Sequence, residues 1–106
     1  MNIAELEAAG AFVQDALVKK EIVWKNGKAE IKFDVYVRPQ SFGARESVQE
    51  IQKDKSKMAS YVSRQILDEQ GNPIFSYEKA VSLKLTLGTQ LLQAINEVNS
   101  GADVKN

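Results

Sequence analysis

The sequence predicts one α+β domain over residues 1–106, in which an antiparallel β-hairpin or small sheet packs against amino- and carboxy-terminal helices. Apolar residues alternate on both sides of an Asn-Gly dipeptide, which predicts the hairpin. Apolar residues with helical spacing at each end predict the helices. The chain is 43% hydrophobic and 26% charged, which is typical of a single globular domain.

The first segment has a helical spacing of apolar residues, which places on one face Ile3, Leu6, Val13, Ala16 and Leu17. Asn2 is suitably placed to cap this helix. Gly10 weakens its middle by about 1 kcal/mol relative to alanine, which leaves open a break into two shorter pieces.

The segment after Lys19 alternates with a period of two, and Asn26-Gly27 predicts a two-residue type I′ turn. That turn places Trp24 opposite Ala29, Ile22 opposite Ile31, and Glu21 opposite Lys32. Lys19 and Asp34 form a second pair of opposite charge. One face of the hairpin then collects the apolar residues Ile22, Trp24, Ile31, Phe33, Val35 and Val37. Pro39 ends the second strand, because proline has no N–H to donate.

The middle of the chain is less regular. Residues 40–43 form a loop, and the polar stretch 44–57 has the narrow apolar stripe of a shallow helix. Met58 to Leu67 fits both helical and strand spacing, and we favour a strand that extends the sheet. The turn residues from Asp68 to Pro73 predict a chain reversal, after which Ile74 and Phe75 pair briefly.

The last third of the chain predicts two helices. Ser76 is a good N-cap for the first of them. Leu83, Leu85 and Leu87 alternate with polar residues, so we expect a break at Gly88 and a second helix from about Thr89. The second helix should end at Asn99, before Ser100 and Gly101.

Composition excludes much catalytic chemistry. The chain has no cysteine and no histidine, hence no thiolate or imidazole nucleophile, base or metal ligand. We predict no catalytic residue, cofactor or metal. Asp68 and Glu69 beside Gly71 lack the ligand pattern of a calcium loop, so we expect them to form a turn. Ser41 lacks the surroundings of an activated nucleophile.

Charge and hydropathy also limit the partners. Lysine and arginine number 14, as do aspartate and glutamate, so no net charge attracts nucleic acid over long range. The lysines at 53, 55 and 57 are interrupted by acidic residues, as on a solvated helix face. No apolar run is long enough to span a membrane, and the acidic beginning is unlike a secretory signal. We therefore expect a protein that stays in the cytoplasm, with no nucleic-acid or membrane partner.

The leucine-rich stretch is the candidate surface for binding a protein partner. Its members are Leu83, Leu85, Leu87, Leu91, Leu92 and Ile95. Burial in the core is the simpler alternative, since a small domain needs this helix to complete its interior. The two readings share residues, because alternating leucines cannot all lie on one side of a continuous helix.

Three stretches, taken in order, resemble the tail assembly chaperones of phages with long non-contractile tails. They are FDVYVRPQSFG at 33–43, LDEQGNPIFSYEKAVSL at 67–83 and LLQAINEVN at 91–99. The resemblance covers most of the chain from Lys20 to Asn99, and the first helix adds nothing to it. Specificity lies in the order of the pieces, since none has a catalytic signature.

The resemblance implies a protein that binds the long, largely helical tape measure protein and keeps it soluble before the tail tube polymerises. It also implies a longer frameshifted product that recruits the tail tube protein, and absence from the mature virion. The small size and neutral charge suggest a homo-oligomer. Two alternatives remain open: a structural tail completion or joining protein, and a small nucleic-acid-binding regulator. An enzyme is a more distant alternative.

Overall fold

The computed structural model describes residues 2–13, 16–43 and 56–100. Its elements are α1 (Ile3–Ala8), β1 (Val18–Asn26), β2 (Ala29–Val37), α2 (Lys57–Gln65), β3 (Ile66–Leu67), α3 (Tyr77–Val81) and α4 (Leu85–Asn99). The three strands form one antiparallel sheet in the order β1-β2-β3. The α+β prediction is confirmed. The helix predicted over 44–57 falls largely on residues outside the described ranges.

The hairpin forms, but its loop lies one residue further along the chain than predicted. Asn26 pairs with Ala29, so the loop residues are Gly27 and Lys28. Gly27 has a φ of +67°, and no described residue other than glycine has a positive φ. A positive φ at the first loop residue alone fits a type II′ turn, which prefers glycine there, and not the type I′ turn.

The predicted strand register is therefore wrong by two residues, since Trp24 pairs with Ile31 and Ile22 with Phe33. The predicted faces are unaffected, because a shift of two residues preserves the alternation of side chains. Lys19 still reaches Asp34, with 3.6 Å between Nζ and Oδ2, although the two residues do not lie directly opposite one another.

The segment from Met58 to Leu67 is mostly helical, so the strand prediction is wrong for Met58 to Gln65. The Ser56 side chain caps α2 by accepting a hydrogen bond from the Ala59 N–H at 3.1 Å. Helical spacing then buries one face of α2. Only β3 joins the sheet, where it pairs with the end of β2.

The chain reversal after β3 is confirmed. The Asp68 carboxylate accepts hydrogen bonds at 2.9 Å from the backbone N–H groups of Gln70 and Asn72. This is the local bonding that makes aspartate a turn residue. The Ile74 N–H then donates to the Ile66 carbonyl at 3.3 Å, which is the brief pairing expected from the sequence.

The predicted N-cap is confirmed, because the Ser76 hydroxyl accepts from the Lys79 N–H at the start of α3. The predicted break at Gly88 is wrong: the interruption falls at residues 82–84, and Gly88 lies inside α4. Glycine costs a helix interior only about 1 kcal/mol, and the apolar residues that follow Gly88 pack on the core and offset it. Helix α4 ends at Asn99 as predicted.

The core lies between one face of the sheet and the helices α2 and α4. Its buried members are Ile22, Val35, Val37, Ala59, Val62, Ile66, Ala80, Leu91, Ala94 and Ile95. Helix α1 ends at Ala8, before Gly10 with its φ of +85°, so the first helix is interrupted at that point. None of its residues is buried. The helical packing against the sheet therefore comes from α2 and α4 and not from α1.

Candidate functional site

An apolar groove of about 200 Å³ lies where α2, α3 and α4 meet. Its floor consists of core or partly buried residues, including Ala59, Val62, Ala80 and Leu92. Small residues at Ala59, Ala80 and Gly88 leave the space that larger side chains would fill.

The rim of the groove is apolar and exposed to solvent. Met58 from α2 is 60% exposed, Val81 from α3 is 53% exposed, and Leu85 from α4 is 82% exposed. Isolated exposed hydrophobic residues are common on protein surfaces, but three around one concave site indicate a surface that binds another apolar group. These residues come from three separate elements, so only the folded chain brings them together.

A hydrogen bond and a break between two helices set the positions of the groove walls. At one side, the backbone N–H of Ser56 donates to the Tyr77 hydroxyl at 2.8 Å and joins the start of α2 to the start of α3. The break at residues 82–84 turns the chain from α3 into α4, so the rim residues Val81 and Leu85 lie on either side of that turn.

The tip of the hairpin fixes the start of α4. The Trp24 ring N–H donates to the Thr86 hydroxyl at 2.9 Å. The Lys84 ammonium group donates to the Asn26 side-chain oxygen at 3.2 Å. Both contacts join residues about sixty positions apart in the sequence and hold the residues on either side of Leu85 against β1.

The groove is weakly basic. Lys84 is the one ionisable residue that lines it, so among the described residues its lining has no carboxylate. Such a lining offers apolar contact area and places no negative charge against an acidic group nearby. No group of acidic residues in the described ranges is arranged to hold a metal ion.

An ion pair joins the second half of α4 to the sheet. The Lys20 ammonium group lies 2.9 Å from the Glu97 carboxylate, and both side chains are partly shielded from solvent. The hydrogen bond from Lys20 lowers the pKa of Glu97; burial opposes the shift, and the charge of Lys20 and a contact with Gln93 add to it. This pair holds the second half of α4 against β1.

A model of the family described as "Phage tail assembly chaperone, TAC" matches residues 4–99. The chain belongs to this family. The match confirms the resemblance found in the sequence, and it extends further, since it includes most of α1. The role of the family lies in tail assembly. Comparison with curated proteins found no match, and comparison with solved structures found none.

The six residues predicted to bind a partner in this tail assembly chaperone fall into three groups. Leu83, Leu85 and Leu92 line the groove. Leu91 and Ile95 are buried in the core, so their side chains are not exposed to solvent. Leu87 is partly buried and packs against the core.

The sequence analysis missed Met58 and Val81 as rim residues. Met58 belonged to the segment interpreted as a strand, and its i, i+4 spacing with Val62 was the signal for a helical face. Val81 has no such signal, because its exposure follows from the break after α3.

None of the helices in the described ranges combines the length and the apolar character needed to cross a membrane.

Proposed function

We propose that this tail assembly chaperone binds the tape measure protein through the groove and keeps it soluble before the tail tube polymerises. The observation that carries the proposal is the exposed apolar rim formed by Met58, Val81 and Leu85 around a concave floor. A helix with an apolar stripe inserts successive i, i+3 and i+4 side chains into such a groove. A long helical partner presents that stripe many times.

Covering a partner in this way needs no reactive side chain, so the proposed role is binding and not catalysis. Modest affinity at each groove is enough, because many copies act along one long partner. The chain's formal net charge of zero lets copies lie side by side without strong repulsion. In this proposal the protein acts in the host cytoplasm and is absent from the mature virion. A frameshifted longer product recruits the tail tube protein.

Leu83, Leu85 and Leu92 are the residues of the predicted leucine surface that we assign to partner binding. Leu85 contributes most of the exposed area, while Leu83 and Leu92 are partly buried and form the deeper wall. Leu87 is assigned to the support of that wall.

Co-expression tests the proposal directly. The tape measure protein of the same phage is produced alone, with the wild-type chaperone, or with an excess of an unrelated soluble protein. The soluble fraction of the tape measure protein should rise only with the chaperone, and the two should elute together. A tape measure protein that is equally insoluble in all three cases would contradict the proposal.

Two further measurements separate the alternatives. Mass spectrometry of purified particles should find no copies of this chain, whereas a structural tail completion protein would be present in each particle. Retention on immobilised DNA or RNA should be absent at low salt. Retention that falls steeply as salt is added would favour a nucleic-acid-binding regulator.

A further inference from the structure

The segment 2–13, here called the arm, is an ordered apolar element that packs against little of its own chain. Helix α1 has a complete capping box: the Glu5 N–H donates to Asn2 Oδ1 at 2.9 Å, and the Asn2 N–H donates to Glu5 Oε1 at 3.1 Å. No residue of the arm is buried, and Ile3, Phe12 and Val13 are exposed. A helix of six residues is marginal in water without packing, so the arm needs an apolar surface to be stably ordered.

The groove offers the surface that the arm lacks. Of the ten described large hydrophobic residues that are exposed, three lie in the arm and three on the groove rim; the other four are Val18, Ile31, Phe42 and Ile74. The arm has two carboxylates, Glu5 and Glu7, and no basic residue. The one ionisable residue that lines the groove is Lys84. Arm and groove are therefore complementary in both hydrophobicity and charge.

We propose that the arm of one copy occupies the groove of a second copy. In the described part of the chain both surfaces remain exposed, so a neighbouring copy supplies the partner for each. The contact joins two different surfaces, which makes it heterologous: a bound pair keeps one free arm and one free groove. One further step rests on the proposed function, in which the groove also binds the tape measure protein. In that case the arm shields the groove until the tape measure protein displaces the arm.

The heterologous contact predicts a complementation result. Phe12→Asp removes an apolar contact of the arm, and Leu85→Asp removes one from the groove. Each variant alone should self-associate at least about tenfold more weakly than the wild type, the scale of losing one buried apolar side chain. An equimolar mixture should form a dimer and nothing larger, because the intact arm of one variant fits the intact groove of the other.

Sedimentation velocity over a range of concentrations measures these masses, and circular dichroism confirms that each variant is folded. Phe42→Asp is the matched control, because Phe42 is 90% exposed and lies outside both arm and groove. It should associate like the wild type. Should either primary variant fail to fold, Ile3→Asp and Val81→Asp replace them. A monomeric wild type at high concentration, a mixture that stays monomeric, or association that persists in both variants would overturn the proposal.

Competition with the tape measure protein is measured separately. A soluble helical segment of that protein should bind the Phe12→Asp variant several-fold more tightly than the wild type, because no arm has to be displaced first. Equal affinity would remove the shielding role and leave the contact between copies intact. The sedimentation experiments contain no tape measure protein. Failure of the proposed function and failure of the arm contact therefore give different results.

Discussion

Leu85→Asp separates binding from stability, because Leu85 is the first residue of α4 and is 82% exposed. The substitution removes almost no buried surface. Aspartate lowers helix propensity by up to about 0.7 kcal/mol. Its negative charge, placed at the positive end of the helix dipole, stabilises the helix by roughly 0.3–1 kcal/mol and opposes that loss. The first turn of α4 has no acidic residue and its N-cap makes no side-chain hydrogen bond, so that favourable contribution is available.

The two contributions nearly cancel, so the free energy of unfolding should change by less than about 0.5 kcal/mol. For a domain of this size, that corresponds to a Tm shift of at most about 4 °C. Binding should respond very differently. Covering a leucine side chain is worth about 1.5–3 kcal/mol, and each 1.4 kcal/mol is a factor of about ten in Kd. The affinity for a tape measure segment should therefore fall roughly tenfold to a hundredfold.

Titration calorimetry with a soluble helical tape measure segment measures the affinity, and thermal unfolding followed by circular dichroism measures the Tm. Phe42→Asp introduces the same carboxylate at an exposed aromatic position away from the groove, and it should leave the affinity unchanged. A large fall in the Tm of Leu85→Asp would mean that the start of α4 belongs to the core. Unchanged affinity in a folded Leu85→Asp variant would exclude the groove as the binding site.

Three further predictions test the scaffold. Leu91→Ala should lower the free energy of unfolding by about 2–5 kcal/mol in urea titrations, because Leu91 is fully buried; a loss below about 1 kcal/mol would contradict that placement. The lowered pKa of Glu97 means that its pair with Lys20 stabilises the fold above the ordinary value of 4.5 and ceases to do so as pH falls through the lowered pKa. Glu97→Gln should thus be less stable than the wild type at pH 7 and equal to it in strong acid, and a difference independent of pH would refute the assignment. Ser76→Ala should lower the free energy of unfolding by about 1 kcal/mol, because the α3 cap is lost. Ser76→Asp should keep most of this stability, because aspartate also caps a helix.

Features set by local chemistry were predictable from the sequence. The faces of the hairpin, the reversal at Asp68 and the cap at Ser76 each depend on a few neighbouring residues. The hairpin register was not predictable from the sequence, because Gly27 suits both the second position of an Asn-Gly loop and the first position of a Gly-Lys loop. Met58 to Leu67 was ambiguous for a related reason: both spacings are present, and packing against α4 decides between them.

The candidate site was predictable only in part. Helical spacing identified the leucine stripe, but it does not show which of its residues another element covers. Leu91 is fully buried in the core, while Leu85, the first residue of α4, stays exposed. Met58 reaches the same groove from a segment more than twenty residues earlier, a neighbourhood that no local pattern encodes.

The hydrogen bond between Trp24 and Thr86 gives the protein a built-in optical reporter. Trp24 is the only tryptophan in the chain, and its bonding partner is adjacent to the most exposed residue of the groove rim. We expect an occupant that contacts Leu85 to change the polarity around this indole or its N–H bond. Intrinsic fluorescence, excited selectively at the indole, therefore follows occupancy of the groove in the unmodified protein, without a dye or an engineered label.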